Sequence, residues 1–295
     1  MSQALTLPEE GLVAVLRDAV ELAKPRITGM VVFTTAMGLW AAPTSISVAR
    51  TVALLVGTTM LVSSANVFNS WMERDVDGRM LRTKERPLPA GRFDPWTAFA
   101  LAVFLGVFAV PILAVAVNPL TALLGAIAHA IYVLVYTPLK RVTPWALEIG
   151  AIPGAVPPLM GWAAATGGLE AGGFMLFGIL FFWQLPHFIA IAIYLREDYA
   201  RGGLRVLSVV RGETSARRRL LAWTVALVAW SFVALPIGAA GLPYAVVAAL
   251  VGAGFLVIAV DGVIRAVGGA WARRAMLYSL VYLVAVAAAL VLDAR

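Results

Sequence analysis

Long apolar runs that carry almost no charge recur along the whole chain, and they limit the folds that the chain can adopt. A helix needs about 20 predominantly apolar residues to cross a lipid bilayer. Only 13% of the residues are charged, against about 25% in a soluble domain. The sequence therefore predicts an all-α, polytopic membrane protein with about nine transmembrane helices. The predicted spans cover residues 27–43, 50–69, 96–117, 119–137, 145–166, 172–195, 218–238, 242–262 and 272–292.

The segment before the first span, residues 1–24, carries acidic residues ahead of any long apolar stretch. A signal peptide has a basic start and an uninterrupted apolar core, so we predict instead a short amphipathic helix on the cytoplasmic membrane surface. Residues 1–295 are expected to form a single domain. The chain has no Cys, which excludes disulfides and thiolate metal sites.

Basic residues are distributed unequally between the two predicted sides of the membrane. All 23 Lys and Arg except Arg50 and Arg295 fall in the N-terminal segment, in the loops after the even-numbered spans or at the adjoining span ends. By the positive-inside rule the N-terminus and the two longest loops face the cytoplasm, and the C-terminus lies outside. Topology thus accounts for much of the net charge of +7, and we expect no nucleic-acid partner.

The first long cytoplasmic loop begins with three oxygen-bearing side chains spaced by four residues. Asn69, Glu73 and Asp77 form one stripe if the segment is helical, because four residues advance slightly more than one turn. Asp75 projects from another face and is expected to form a salt bridge or a helix-end contact. Oxygen ligands of this kind suit Mg²⁺ ions that bridge to a diphosphate. The alternative is a solvated loop held by local ion pairs.

Basic residues follow the stripe, and another acid follows the sixth predicted span. Arg82, Lys84 and Arg86 can take up phosphate charge. Asp198 lies on the same predicted side, so the two acidic sites can meet across a bundle and hold Mg²⁺ and diphosphate between them. An apolar cavity below would then accept a lipid tail. The alternative for Asp198 is a cap or a partner of a neighbouring arginine.

Both histidines fall inside predicted spans, where an ionisable side chain indicates a functional site by default. For His129 we expect a neutral imidazole that is hydrogen-bonded to a neighbouring helix. His187 fits that interpretation equally well, but a neutral imidazole is also an axial ligand of heme iron.

Taken together, these motifs resemble the UbiA superfamily of intramembrane prenyltransferases. Two of the segments, WQLPHF and DYARGG, are similar to its protoheme IX farnesyltransferase branch, the heme O synthases. The segments that carry the resemblance are Asn69-x3-Glu73-x3-Asp77, RTKERP (82–87), YTPLKR (136–141), GAIPGAVPPLMGW (150–162), WQLPHF (183–188) and DYARGG (198–203).

The resemblance implies a UbiA-type helical bundle in a bacterial cytoplasmic membrane, with the active site on the cytoplasmic side. It implies Mg²⁺-dependent transfer of the farnesyl group of farnesyl diphosphate to the 2-vinyl group of heme b, with water addition, to give heme O. Heme A synthase or terminal oxidase assembly would receive the product. The implied residues are Asn69, Glu73, Asp77 and Asp198 for metal and catalysis; Arg26, Arg82, Lys84, Arg86, Tyr136, Lys140 and Arg141 for diphosphate; and His187 for heme.

Five positions depart from the pattern of that branch. Glu73 stands where Asp is usual, Arg205 and Ser208 where prolines are usual, and Val206 where Met is usual; Glu148 replaces what is often a small amide residue. These departures concern the acceptor more than the prenyl chemistry.

Three other functions are compatible with parts of the sequence. One is a prenyltransferase for an aromatic acid in quinone synthesis, and another is a heme-binding assembly factor without catalysis. The third is a transporter, which would place its coupling charges near the membrane midplane, whereas the acids here gather at the predicted cytoplasmic edge.

Overall fold

The structure is a computed structural model that describes residues 9–265 and 269–293, and every regular element in these ranges is helical. The predicted N-terminal segment is therefore described only from Glu9, and the predicted external position of Arg295 lies outside the described residues. The first half contains α1 (Glu9–Leu22), α2 (Pro25–Ala41), α3 (Val48–Met72), α4 (Arg74–Asp77), α5 (Pro95–Ala116), α6 (Pro119–Ala130), a π-helical turn (Ile131–Tyr136) and α7 (Thr137–Leu139). The second half contains α8 (Ala146–Thr166), α9 (Ala171–Tyr194), α10 (Arg196–Gly202), α11 (Leu207–Val210), α12 (Gly212–Ser231) with a 3₁₀ turn (Phe232–Ala234), α13 (Leu242–Arg265) and α14 (Gly269–Asp293).

A long helix covers most of each predicted span, so the all-α membrane fold is confirmed. Six of the described helices are long and apolar enough to cross a bilayer: α3, α5, the continuous stretch Pro119–Leu139, α9, α13 and α14. The other three fall short for visible reasons. Helix α2 has 17 residues, α8 contains three prolines, and α12 begins with a polar turn followed by three arginines. The count of about nine spans remains a prediction.

The helix starts are set by local capping. Asp94 accepts a hydrogen bond from the Thr97 amide at 2.7 Å before Pro95 opens α5. Asn118 does the same for α6, where Pro119 takes the first helical position. A capping oxygen satisfies an amide that has no partner in the first turn, and proline loses nothing there. The Asn118 cap explains how α6 can begin so soon after the end of α5.

Helix α1 has an exposed apolar face and a polar face that holds it to the bundle. Leu12, Leu16 and Val20 are more than half exposed. On the other side, buried Asp18 accepts hydrogen bonds from Arg92, which also bonds Glu21. The exposed apolar face is compatible with the membrane-surface helix that the sequence predicts, and that location stays a prediction.

Helices α2, α3, α6, α8, α9, α12 and α14 together enclose a central cavity. Its walls are brought close by small residues, since Gly38 of α2 lies against the backbone of Pro158 and Gly161 of α8 lies against the backbone of Thr35. Small residues at such crossings let helix backbones approach closely inside a membrane. The polar segments after α3 and α9 meet at one end of this cavity, where the Leu81 amide donates to Asp198 at 2.7 Å.

Candidate functional site

The central cavity has a volume of about 700 Å³ and is chemically divided. One end is lined by charged and polar side chains from the end of α3, the segment after it, the start of α2 and the end of α7. The walls below are mostly apolar and include Val62, Met160, Leu180 and Leu283. The polar lining residues among those predicted to bind metal or diphosphate are Arg26, Asn69, Glu73, Asp77, Arg82, Arg86, Tyr136 and Lys140.

The stripe of Asn69, Glu73 and Asp77 runs across the break between α3 and α4. Backbone hydrogen bonds continue through the break, from the Glu73 amide to the Asn69 carbonyl at 3.0 Å and from the Asp77 amide to the Glu73 carbonyl at 2.7 Å. All three residues are buried. The spacing of four therefore brings the three side chains to the same wall of the cavity, although they do not belong to one uninterrupted helix.

A chain of hydrogen bonds links the first two members of the stripe to two lysines. Lys24 Nζ donates to Asn69 Oδ1 at 2.7 Å, and Asn69 Nδ2 donates to Glu73 Oε2 at 2.8 Å. Lys140 Nζ donates to the same Glu73 oxygen at 2.7 Å. The other oxygen, Oε1, is buried and has no hydrogen-bond partner within the described chain. Leaving a buried carboxylate oxygen without a hydrogen-bond partner costs free energy. Glu73 Oε1 is therefore a candidate ligand for a cation.

Lys24 is held in an unusual electrostatic environment. Burial, which removes Lys24 from water, is the largest of the effects that lower its pKa to about 7. The positive charges of Arg86 and Lys140 act in the same direction. The charges of Glu73 and Asp77 act in the opposite direction but do not outweigh burial. An added anion beside Lys24 would favour its charged form, so this end of the cavity is suited to a strongly anionic group.

Asp77 is paired with one of the predicted phosphate ligands. Arg86 Nη1 donates to Asp77 Oδ2 at 2.8 Å, and Thr83 Oγ1 donates to the Asp77 carbonyl at 2.8 Å. These bonds fold the 82–86 segment back over the stripe. As a result Arg82 and Arg86 both reach the cavity.

Two of the predicted diphosphate ligands do not line the cavity. Lys84 is half exposed, with its Nζ 3.7 Å from Glu85. Arg141 donates to Asp75 at 2.8 and 3.1 Å and to the Met72 carbonyl at 2.7 Å. Asp75 thus forms the salt bridge that the sequence predicts for it.

Asp198 lies at the same end of the bundle as Asp77 but is not part of the cavity wall. Its carboxylate accepts hydrogen bonds from the amides of Leu81, at 2.7 Å, and Arg82, at 3.4 Å. Arg201 lies 3.8 Å away. The structure therefore connects the two acidic segments as the sequence predicts, through the backbone that carries Arg82. Direct metal binding by Asp198 stays a prediction.

The π-helical turn brings two tyrosines to the cavity. Tyr132 and Tyr136 both line it, with ring centroids 5.3 Å apart. Lys140 Nζ lies 4.8 Å from the centre of the Tyr136 ring. A π turn holds more residues than an α turn and is frequent at functional sites; here it carries both tyrosines on one wall of the cavity.

His187 lines the cavity, and its Nδ1 lies beside a serine hydroxyl. Ser279 Oγ donates to the Met276 carbonyl at 2.6 Å and lies 2.7 Å from His187 Nδ1. If the serine proton is donated to the carbonyl, Nδ1 is the donor in a neutral ring and Nε2 keeps a free lone pair. The ring stacks on Trp183, with centroids 4.8 Å apart.

His129 adopts the structural role that the sequence predicts for it. Its Nε2 lies 2.9 Å from Ser64 Oγ on α3, and that hydroxyl donates to the Ala102 carbonyl on α5 at 2.7 Å. His129 thereby joins three helices.

The polar end of the cavity fits Mg²⁺ better than a transition metal. No group of three or more His, Cys, Asp and Glu side chains in the described ranges forms a ligand cage. Asn69, Glu73 and Asp77 instead supply amide and carboxylate oxygens, with one carboxylate oxygen unpartnered. Mg²⁺ prefers such an incomplete oxygen set, because it keeps several waters and completes its shell with substrate phosphate.

Several cavity residues were not singled out from the sequence. Lys24 and Tyr132 are among them, as are Gln184, Tyr199 and Arg219. Lys24 stands two positions before Arg26, just ahead of a predicted span. Its nearness to a predicted diphosphate ligand is the sequence signal that could have identified it.

Comparison with known sequences gives matches over nearly the whole chain. The model of the UbiA prenyltransferase family matches residues 31–281. The protoheme IX farnesyltransferase of Anaeromyxobacter dehalogenans (strain 2CP-C) is 49% identical over 292 residues, which are 99% of this chain and 98% of the relative. The protein of the same name from Anaeromyxobacter sp. (strain Fw109-5) is 51% identical over 95% of this chain and 94% of its own. That of Myxococcus xanthus (strain DK1622) is 42% identical over 96% and 97%.

Solved structures share the fold at low sequence identity. A structure of digeranylgeranylglyceryl phosphate synthase superimposes with a TM-score of 0.81 and 15% identity, over 94% of this chain and 98% of the other. A UbiA homolog from Archaeoglobus fulgidus, solved bound to GPP and Mg²⁺, superimposes with a TM-score of 0.61 and 17% identity, over 92% and 99%. These likenesses establish the arrangement of the helices.

Proposed function

Because the chain belongs to the UbiA prenyltransferase family, we propose that it transfers the farnesyl group of farnesyl diphosphate to the 2-vinyl group of heme b. Water addition then gives heme O, and diphosphate is released. The relatives named protoheme IX farnesyltransferase support this acceptor, since they match the chain over almost its full length. The chain is an integral membrane enzyme.

The observation that carries the proposal is the divided cavity of about 700 Å³. Its basic end matches a diphosphate, and its apolar walls match an isoprenoid tail and a porphyrin face. Neither a transporter nor a heme-binding assembly factor needs a carboxylate stripe beside converging basic side chains.

At the polar end, Asn69, Glu73 and Asp77 would hold Mg²⁺, and the unpartnered Glu73 oxygen supports this assignment. When bound, Mg²⁺ neutralises charge on the leaving diphosphate. The Archaeoglobus fulgidus homolog was solved with Mg²⁺ and GPP together. Asp198 would support the same site by holding the backbone at Leu81 and Arg82.

The chain's own basic residues bind and orient the diphosphate. Lys24, Arg86 and Lys140 are already hydrogen-bonded to the stripe and would exchange these partners for phosphate oxygens. Arg26 and Arg82 complete the cationic lining, with Tyr136 beside Lys140. Donors placed around the leaving group stabilise charge as it develops in the transition state. Lys84 and Arg141 do not line the cavity, so they would act on the diphosphate only through the electrostatic field of their charges.

The apolar wall protects the reactive carbon. When the C–O bond breaks, its electron pair leaves with the diphosphate and the farnesyl C1 becomes an allylic cation. The π electrons of the heme vinyl group then form the new C–C bond. The cation that results next to the porphyrin takes up water, which loses a proton to become the hydroxyl group. A wall without bulk water keeps the first cation from being hydrolysed.

His187 would hold the acceptor. The lone pair on Nε2 is suited to the heme iron, and it is available when Nδ1 donates to Ser279. We further propose that the protein lies in the bacterial cytoplasmic membrane with its N-terminus and active site on the cytoplasmic side. Heme A synthase or terminal oxidase assembly would consume the product.

The test is an acceptor assay with purified protein, farnesyl diphosphate and Mg²⁺. Heme b and an aromatic acid of quinone synthesis are offered separately, and products are identified by mass spectrometry. We expect heme b to gain one farnesyl group and one hydroxyl group, and this product should be absent when EDTA removes the metal. Prenylation of the aromatic acid alone would show that the acceptor has been misassigned.

A further inference from the structure

A second charged pair lines the same cavity and has no part in the chemistry described above. It consists of Glu148 in the first turn of α8 and Arg219 in α12. The Arg219 guanidinium lies 2.7 Å from Glu148 Oε1, and the two side chains are only 15% and 16% exposed. No hydrogen bond or ion pair among the described residues joins this pair to the stripe or to its lysines.

The pair is held firmly but is incompletely satisfied. The guanidinium lies 3.7 Å from the centre of the Trp145 ring, and Trp223 Nε1 donates to Glu148 Oε1 at 3.4 Å. Glu148 Oε2 is buried without a hydrogen-bond partner in the described chain. An arginine stacked on an aromatic ring keeps the edges of its planar fork available, and these edges match a carboxylate in bidentate fashion.

The charge inventory of the two substrates indicates what this arginine binds. Farnesyl diphosphate carries charge only on its diphosphate, and the stripe and its surrounding basic residues already match that group. Heme b carries two propionate carboxylates, and no feature described so far accounts for them. A buried anion needs a paired, hydrogen-bonded cation, and Arg219 lies in the same cavity as His187.

We propose that a free edge of the Arg219 guanidinium binds a propionate of heme b, while Glu148 holds the guanidinium in place through its other edge. This inference rests on the proposed heme acceptor. With His187 at the iron and Arg219 at a propionate, the porphyrin is held at two points and its orientation about the iron is fixed. That orientation decides which vinyl group faces the farnesyl cation.

Heme b dimethyl ester provides the direct test, because it keeps the iron and both vinyl groups but lacks the two carboxylate charges. Each compound is titrated into purified protein and binding is followed by heme absorbance. We expect the natural protein to bind heme b about tenfold more tightly than the ester, a ratio that corresponds to one charge-assisted contact. In Arg219→Gln the ratio should approach one, with the affinity for the ester little changed.

Two further variants keep the test decisive. The double variant Glu148→Gln/Arg219→Gln removes both charges, so that no unpaired carboxylate destabilises the bundle, and it should also lose the preference. Arg218→Gln removes an exposed arginine that is next in sequence and does not line the cavity, and it should keep the preference.

The outcomes separate the two proposals. A natural protein that binds heme b and the ester equally, or an Arg219→Gln variant that weakens both by the same factor, overturns the propionate site and leaves the heme acceptor standing. Failure of the natural protein to bind either compound overturns the heme acceptor, and the propionate site falls with it.

Discussion

At the scale of single residues, two aspartates that stand two positions apart have opposite environments. Asp77 is buried on the cavity wall and paired with Arg86. Asp75 faces outward and is only slightly buried. That burial raises its pKa, but the hydrogen bond and the positive charge of Arg141 outweigh it, so the pKa of Asp75 is lowered. Both acids are part of the same polar segment, so they form a matched pair for mutagenesis.

Replacing Asp77 by Asn keeps the shape of the side chain and removes the charge that would hold Mg²⁺. We expect Asp77→Asn to lower the rate of farnesyl transfer by about 100-fold or more, a typical loss for one transition-state electrostatic contact. Asp75→Asn should stay within a few-fold of the natural rate, because an exposed ion pair contributes little. Diphosphate release, measured on both variants in parallel, checks the prediction. Equal rates for the two would remove Asp77 from the active site.

Asp198 is expected to act on the segment between α4 and α5, whose backbone it holds through the amides of Leu81 and Arg82. An Asn accepts at only one oxygen, so Asp198→Asn should loosen this backbone and lower turnover. If the carboxylate acts through the backbone alone, the Mg²⁺ concentration for half-maximal rate does not change. Glu197→Gln changes the adjacent exposed carboxylate and serves as the control. A Mg²⁺ titration of the rate checks this. A marked rise in the Mg²⁺ requirement of Asp198→Asn would make the carboxylate a metal ligand.

The predictability of the site depends on how local its contacts are. Asn69, Glu73 and Asp77 could be recognised because their relation is a spacing of four along one segment. The contact of Lys24 with this stripe could not be predicted, because its partner Asn69 is 45 positions away. The same holds for Arg219 and Glu148, which come together only because α8 and α12 both line the cavity.

At the scale of elements, helices that apolar runs and caps define were predictable, whereas the short polar helices were not. Asp94 and Asn118 mark the starts of α5 and α6 within the sequence itself. Helices α4, α10 and α11 lie in segments that composition presents only as polar loops. Contacts between distant segments determine them, such as the bond from the Arg205 amide to the Lys140 carbonyl.

The crossing of α2 and α8 depends on glycine at position 38. A Cβ there would overlap with the carbonyl of Pro158 on α8, whereas a Cβ on Gly29 of the same helix meets no atom within 4 Å. We expect Gly38→Ala to cost about 1–3 kcal/mol of stability through overpacking and Gly29→Ala to be neutral or slightly stabilising. Thermal unfolding of both variants in detergent measures this. Equal melting temperatures would show that the helices do not approach so closely.

At the scale of the whole molecule, charge distribution and the cavity describe one arrangement. The polar ends of α3, α7 and α9 gather at the face where the sequence places most Lys and Arg, and the apolar cavity extends below it. Hydropathy predicted the bundle because lipid selects apolar helices. It supports the membrane crossing of α2, α8 and α12 less strongly than that of the other helices, since α2 is short and the prolines of α8 and the arginines of α12 lower the apolar signal.

The absence of Cys from the chain allows the crossing helices to be tested by single cysteines. We expect Ser45→Cys, Leu169→Cys and Ile237→Cys to react with a membrane-impermeant maleimide in intact cells, because these positions follow α2, α8 and α12 on the predicted outer side. Glu85→Cys and Glu197→Cys, both highly exposed, should react only after the cells are permeabilised. Each outer position reports on one uncertain helix. Suppose that Ser45→Cys is protected in intact cells but is labelled after permeabilisation. Helix α2 would then not cross the membrane, and the predicted orientation would have to be reversed or the number of spans reduced.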